Sequence, residues 1–169
     1  MDFQELIRVR RSLRGYKSDP VGEDVLYRVL GAGRIAPTAC NRQAFHLIVV
    51  TDAETRVRMK DVYARDWFHT APVILVGCAE PAKAWQRADG FNAAVLDLGI
   101  VMDHIILAAT EEGLGTCWVC AFDEAKAKEI LGVPPDIRVV AMTPLGYSKA
   151  EPLPFARKRL EDLLHRECW

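Results

Sequence analysis

The sequence predicts a sandwich of helices on a β-sheet, of α/β or α+β type. Three observations lead there. Compact β-branched runs alternate along the chain with stretches of helical spacing, the pattern of layered sheet-and-helix domains. One apolar segment, 91–113, has the length of about six helical turns and is apolar nearly all round, so it must be buried. Finally, 169 residues, half of them hydrophobic, suffice for one core-bearing domain over 1–169. No linker, repeat or low-complexity stretch interrupts it.

The elements follow in order. Residues 2–10 read as a short helix: Asp2 is its cap, Glu5 takes the capping-box position, and Phe3, Leu6 and Ile7 form a stripe. After Pro20 a second helix spans 23–35, with Val25, Leu26, Val29 and Leu30 on one side. "AFHLIVVTD" (44–52) is a strand, and 53–65 returns to helical spacing. "APVILVGC" (71–78) is a buried strand, with Pro72 at its start, where a missing N–H does least harm. The long helix 91–113 ends at Gly113. "GTCWVCAF" (115–122) reads as a third strand, 123–132 as a capped helix and "IRVVAMTPLGY" (137–147) as a fourth strand. Four short strands are few to support so long a buried helix, which suggests a dimer whose partner completes the core.

Composition excludes several functions. A formal charge of −1 offers no general attraction to nucleic acid or anionic membranes, so any anion site must be local. No apolar run reaches the length of a membrane span. The opening residues lack a signal core, and Asp2 and Glu5 oppose a transit peptide. Five irregularly spaced cysteines fit reduced thiols. A cytoplasmic location is expected.

Against that balance, "RVRRSLRGY" (8–16) places Arg8, Arg10, Arg11 and Arg14 within seven positions. Cations near a helix C-terminus are favoured by the dipole, which accounts for any one of them. Four together repel one another, and guanidinium forks match phosphate oxygens in pairs. With the Ser12 hydroxyl and loop N–H groups they read as a phosphate cradle. The basic run Arg157, Lys158, Arg159 is a solvated face taken alone and a candidate second jaw beside the first cluster.

Other motifs carry less. "GAGRIA" (31–36) matches a loose dinucleotide pattern, but that motif needs a strand before it. Here a helix precedes it, so Gly31 and Gly33 serve close packing or helix termination. "APTACNRQAF" (36–45) reads either as a connector with an Asx-type turn at Asn41 or as a polar loop for a planar ligand. Cys117 and Cys120 form a C-x-x-C on a predicted strand, not at the helix N-terminus that redox chemistry needs, and no second pair offers a zinc site. The histidines show no metal spacing, and His104 reads as a hydrogen-bonded core residue. No nucleophile triad is evident.

Together these residues resemble the nitroreductase family of FMN-dependent flavoproteins. The resemblance runs in family order through "RRSLRGY" (10–16), "APTACNRQAFHLIVV" (36–50), "APVILV" (71–76), "GLGTCWVCAF" (113–122) and "PLGY" (144–147). Ala44 stands where the family usually has proline. The length is similar to the compact branch, which lacks a helical excursion over the flavin. The resemblance implies an α+β, three-layer α/β/α sandwich. Its mostly antiparallel sheet has four to five strands and a long central helix, and the subunits form an intertwined homodimer with two FMN sites. Carried over, Arg10, Ser12 and Arg14 hold the phosphate, ribityl chain or pyrimidine edge, and Arg11 assists. Arg157 and Arg159 close on the phosphate. Pro37, Thr38, Ala39 and Asn41 come from the other subunit to pack on the ring. Backbone N–H groups near Cys120 and Ala121 face its N5 region.

The implied activity is hydride transfer from NADH or NADPH through FMN to a small organic oxidant (nitroaromatic, quinone, enone or flavin) in ping-pong order. The flavin carries the chemistry, so no catalytic side chain is assigned. The alternative is an FMN-binding module without turnover, acting as a sensor, store or interaction protein. A nucleic-acid binder using "RVRRSLR" is disfavoured by the neutral charge and by the lack of interleaved aromatics.

Overall fold

In the computed structural model, which describes residues 1–149, 151–153 and 155–169, Asp2 opens the first helix, α1 (Phe3–Val9), by accepting the Glu5 N–H at 2.8 Å. The same device recurs where Asp52 caps α3 (Ala53–Arg58) through Thr55 and Asp123 caps α6 (Glu124–Leu131) through Lys126. Each satisfies an N–H that helix geometry leaves orphaned. The remaining helices are α2 (Glu23–Arg34), α4 (Asp66–His69) and α5 (Ala94–Glu111). The strands are β1 (Phe45–Val50), β2 (Val73–Ala79), β3 (Gly115–Thr116) and β4 (Arg138–Gly146).

All strand pairs are antiparallel, in the order β1-β2-β4-β3. Every residue of β2 is buried, so its side chains feed two cores in alternation. Val73, Leu75 and Ala79 face Leu98, Val101, Met102 and Ile105 of α5, with α2 beyond. Ile74, Val76 and Cys78 face Met59, Val62, Phe68 and Ala127 on the opposite side. The sheet is thus covered on both faces, and the architecture is an α/β/α sandwich.

Two glycines set the depth of α5. A Cβ on Gly33 would lie 2.6 Å from Ile105 Cδ1, and one on Gly77 would lie 3.0 Å from Met102 Sδ. Their missing side chains let α2 and the sheet close on the helix from either side. Gly33 therefore serves packing inside α2, and "GAGRIA" is no phosphate loop. Gly113, at φ 76, follows α5 as expected. Within one chain α5 is less enclosed than its composition suggests, since Val95 and Leu96 remain exposed. In α1 only Leu6 is buried, while Phe3 and Ile7 face outward.

Two expected elements are shorter. The helix expected over 53–65 stops at Arg58, passes through a 3-10 turn at Met59–Asp61, and restarts as α4. Leaving the helix lets Met59, Val62 and Phe68 all enter one core, so tertiary burial overrides helical spacing. The strand expected over 115–122 forms a continuous ladder only at Gly115 and Thr116. The Cys117 N–H donates instead to the Thr143 hydroxyl at 3.2 Å, and pairing resumes at Val119 through reciprocal bonds of 2.9 Å with Met142. A side chain has taken the place of a ladder carbonyl. Cys117 is buried, Cys120 is exposed, and neither is in a disulfide. No helix among the described residues is long and apolar enough to cross a membrane.

Glu124 ties α6 to the start of β4. It accepts Arg138 Nε at 2.8 Å, Arg138 Nη2 at 2.9 Å and the Val139 N–H at 3.0 Å. The Arg138 fork holds its carboxyl below the usual range, with partial burial opposing. A lowered folded value means the contribution is complete above the unfolded carboxylate range and is lost as pH falls through the folded one. Glu124→Gln is therefore expected to cost about 1 kcal/mol at pH 7. Urea midpoints for variant and wild type should converge in acid; a gap that persists there would refute the assignment.

Candidate functional site

The loop after α1 is pinned to the sheet. Arg10 leaves helical geometry at φ −56, ψ 123. Ser12 forms a parallel bridge with Thr116, and the Leu13 N–H donates to the Thr116 carbonyl at 2.8 Å. The Tyr16 hydroxyl donates to the Leu13 carbonyl at 2.6 Å. Tyr16 is buried, and burial raises its phenol pKa far above the ordinary value, so this bond keeps its proton. Tyr16 also bridges to Ser148, and the Lys149 N–H donates to Gly15 at 3.2 Å. These bonds start the C-terminal segment beside the arginine loop.

The two segments enclose a cavity of about 300 Å³ lined by Arg10, Arg11, Ser12, Arg14, Leu153, Phe155 and Arg157. Four of these seven residues are arginines and none is acidic. Arg11 donates to the Arg8 and Arg10 carbonyls at the end of α1, where helix geometry leaves acceptors unpaired. Its guanidinium carbon also lies 3.9 Å from the Phe155 ring centroid, and that of Arg157 lies 3.8 Å from the same centroid. Behind the loop, the Cys117 thiol is buried. Burial pushes its pKa up, against the opposing pull of Arg14 and Ser12.

Arg14 lines a second cavity as well, of about 520 Å³, with Tyr63, Ala64, Arg65, Asp66 and Trp67. Its guanidinium lies 5.9 Å from the Trp67 ring. Tyr63, Trp67 and Phe68 meet edge to face with centroids 5.2 to 6.1 Å apart, a favourable geometry that stiffens this wall. Sequence reasoning missed the segment. Its signal was "YARDWFH" (63–69), where three aromatics and an arginine crowd into a stretch assigned to helix and connector.

Of the residues expected at the site, Arg10, Arg11, Ser12, Arg14 and Arg157 line one cavity. Arg159 does not join them. It pairs with Glu161 at 3.2 Å on an exposed surface, a local carboxylate two residues away that satisfies its charge. The loop Pro37–Asn41 lies elsewhere in the chain. There the Thr38 hydroxyl accepts the Gln43 N–H at 3.0 Å, and Asp97 of α5 accepts the Ala39 N–H at 3.0 Å. Thr38, not Asn41, thus holds the turn. Cys40, Asn41 and Gln43 have φ values of 50, 52 and 51, the left-handed region that side chains resist. Cys120 borders a third cavity of about 280 Å³ with Val95 and Phe122, and its sulfur accepts the Trp118 indole N–H at 2.8 Å. Neither Pro37–Asn41 nor Cys120–Ala121 lines the arginine cavity within one chain. Among the described residues no group of three or more His, Cys, Asp or Glu could hold a metal.

Comparison with known proteins gives a consistent picture. The family model described as the nitroreductase family matches residues 7–67 and 59–147. An Archaeoglobus fulgidus protein named for NADH dehydrogenase/NAD(P)H nitroreductase is 32% identical, over 98% of this chain and 97% of its own. The crystal structure of a nitroreductase family protein from Clostridium difficile 630 superimposes with a TM-score of 0.93 at 31% identity, covering all of both chains. The FMN-dependent nitroreductase of C. difficile R20291 gives 0.83 at 26% identity, covering 97% of this chain and 98% of its own.

Proposed function

This chain belongs to the nitroreductase family, and from that premise we propose that it oxidises NADH or NADPH and reduces a small organic oxidant in ping-pong order. It is an NAD(P)H-dependent FMN oxidoreductase. FMN, when bound, would supply the redox centre for hydride transfer between a nicotinamide and a nitroaromatic, quinone, enone or flavin.

One observation carries the reading: four guanidinium groups surround a cavity of about 300 Å³ with no acidic side chain in its lining. The residues fit a phosphomonoester. Mutual repulsion among the arginines is relieved by a dianion, and guanidinium forks bind its oxygens in pairs. Arg10, Ser12 and Arg157 would hold the phosphate, with Arg11 supporting. Arg14, shared by both cavities, is positioned to serve the polar edge of the ring, where a cation favours the reduced, anionic flavin. The wall of Tyr63 and Trp67 would exclude water there.

The second half of the site is proposed to come from another copy of the chain. Pro37, Thr38, Ala39 and Asn41 of one protomer would pack on the ring held by the arginine loop of the other, with the Cys120 and Ala121 backbone toward N5. Support comes from the exposure of Phe3, Ile7, Val95 and Leu96, which a monomer would leave in water. On this reading residues 1–169 form one FMN-binding domain working as a homodimer in the cytoplasm.

The test is the visible spectrum of the purified protein and its anaerobic titration with NADH and NADPH. The expected result is a bound flavin whose absorbance is lost with one or both nucleotides and returns with a quinone. Flavin-loaded protein inert to both nucleotides would establish the binding module without turnover instead.

A further inference from the structure

Phe155 has no core to explain it. It is 42% exposed and belongs to neither buried cluster, yet it lines the arginine cavity. Its contacts are cationic: the guanidinium carbons of Arg11 and Arg157 lie 3.9 and 3.8 Å from its centroid. Both guanidinium groups thus sit at stacking distance from one ring, so the ring fixes the position of each. Each cation meets the negative face of the π-system, an attraction that offsets part of the repulsion between two like charges held in one cavity. Both arginines are held from behind as well, Arg11 by the Arg8 and Arg10 carbonyls and Arg157 by the Ala156 carbonyl at 3.1 Å.

We propose that Phe155 is a positioning residue, a spacer that sets the separation of Arg11 and Arg157 and so shapes the cavity for a terminal phosphate. It acts through the two arginines and touches no reacting atom. The proposal rests on the reading of this cavity as the phosphate site. It also accounts for how an otherwise exposed segment is held to the arginine loop: ring and cations clamp the C-terminal strap onto the segment that follows α1.

The test compares FMN with riboflavin, which lacks the phosphate, by fluorescence titration of the flavin-free protein. Wild type should bind FMN far more tightly than riboflavin. Phe155→Leu keeps apolar bulk but removes the π face. It should weaken FMN binding about tenfold, equivalent to about 1.4 kcal/mol, and leave riboflavin binding within about twofold, a pattern that loss of general structure would not produce. Phe155→Tyr, which retains the face, should match wild type. Equal weakening of both ligands in Phe155→Leu, or no change in either, would overturn the spacer role while the phosphate site stands. A wild type that does not distinguish FMN from riboflavin would overturn the phosphate reading itself.

Discussion

Replacing Arg10 and Arg157 together with alanine is expected to weaken FMN binding at least a hundredfold. The two line one cavity from different segments, Arg10 from the loop after α1 and Arg157 from the C-terminal segment. A hydrogen bond to a charged group contributes about 1.5–3 kcal/mol, so losing two removes roughly 3–6 kcal/mol, or about two to four orders of magnitude in affinity. The same change should leave the stability of the flavin-free protein close to that of wild type, because the relief of losing two of four crowded cations offsets the lost contact between Arg157 and Phe155. That contrast separates a ligand site from a structural ion cluster. FMN titration and a thermal melt of the flavin-free protein measure both. An affinity loss below tenfold, or a clear fall in the melting temperature, would remove the phosphate from this cavity.

Phe68→Ala is the substitution expected to cost most in stability. The ring is completely buried, packs in the core against Ile74 and Val76 of β2, and meets Tyr63 edge to face at 5.2 Å. Truncating a buried phenylalanine to alanine costs about 3–5 kcal/mol, the lost transfer energy plus the cavity left behind. That is a large fraction of the roughly 5–15 kcal/mol that holds a typical domain. Loosening Phe68 also loosens Tyr63 and Trp67, which wall the cavity beyond Arg14. Denaturant midpoints at fixed protein concentration measure the effect, and a loss below about 1 kcal/mol would show that the core refills.

The parts of this molecule readable from sequence were those fixed by neighbours a few residues away. The Asp2 cap, the buried strand β2 and the reach of α5 depend on local spacing, and each stands within a few residues of its expected place. The clustering of Arg10, Arg11 and Arg14 with Arg157 was readable for another reason: like charges packed into so few positions demand a counter-ion. What could not be read depended on partners far along the chain. The Thr143 hydroxyl intercepts the Cys117 N–H across 26 residues of sequence, ending β3 early. Met59 and Phe68 enter one core only if the helix between 53 and 65 breaks. Arg159, which the family resemblance pairs with Arg157 at the phosphate, bonds instead to Glu161 two residues on and is not among the cavity's lining residues. The wall at Tyr63–Trp67 became visible only when folding brought it against Arg14.

The left-handed residues Cys40, Asn41 and Gln43 would make directed evolution pull in two directions. Glycine at any of the three relieves about 1 kcal/mol of backbone strain, so a screen for heat tolerance drifts toward it. The same change frees the loop to wander, and a screen for speed discards it. Libraries bred for endurance and libraries bred for throughput should therefore part company at these three positions.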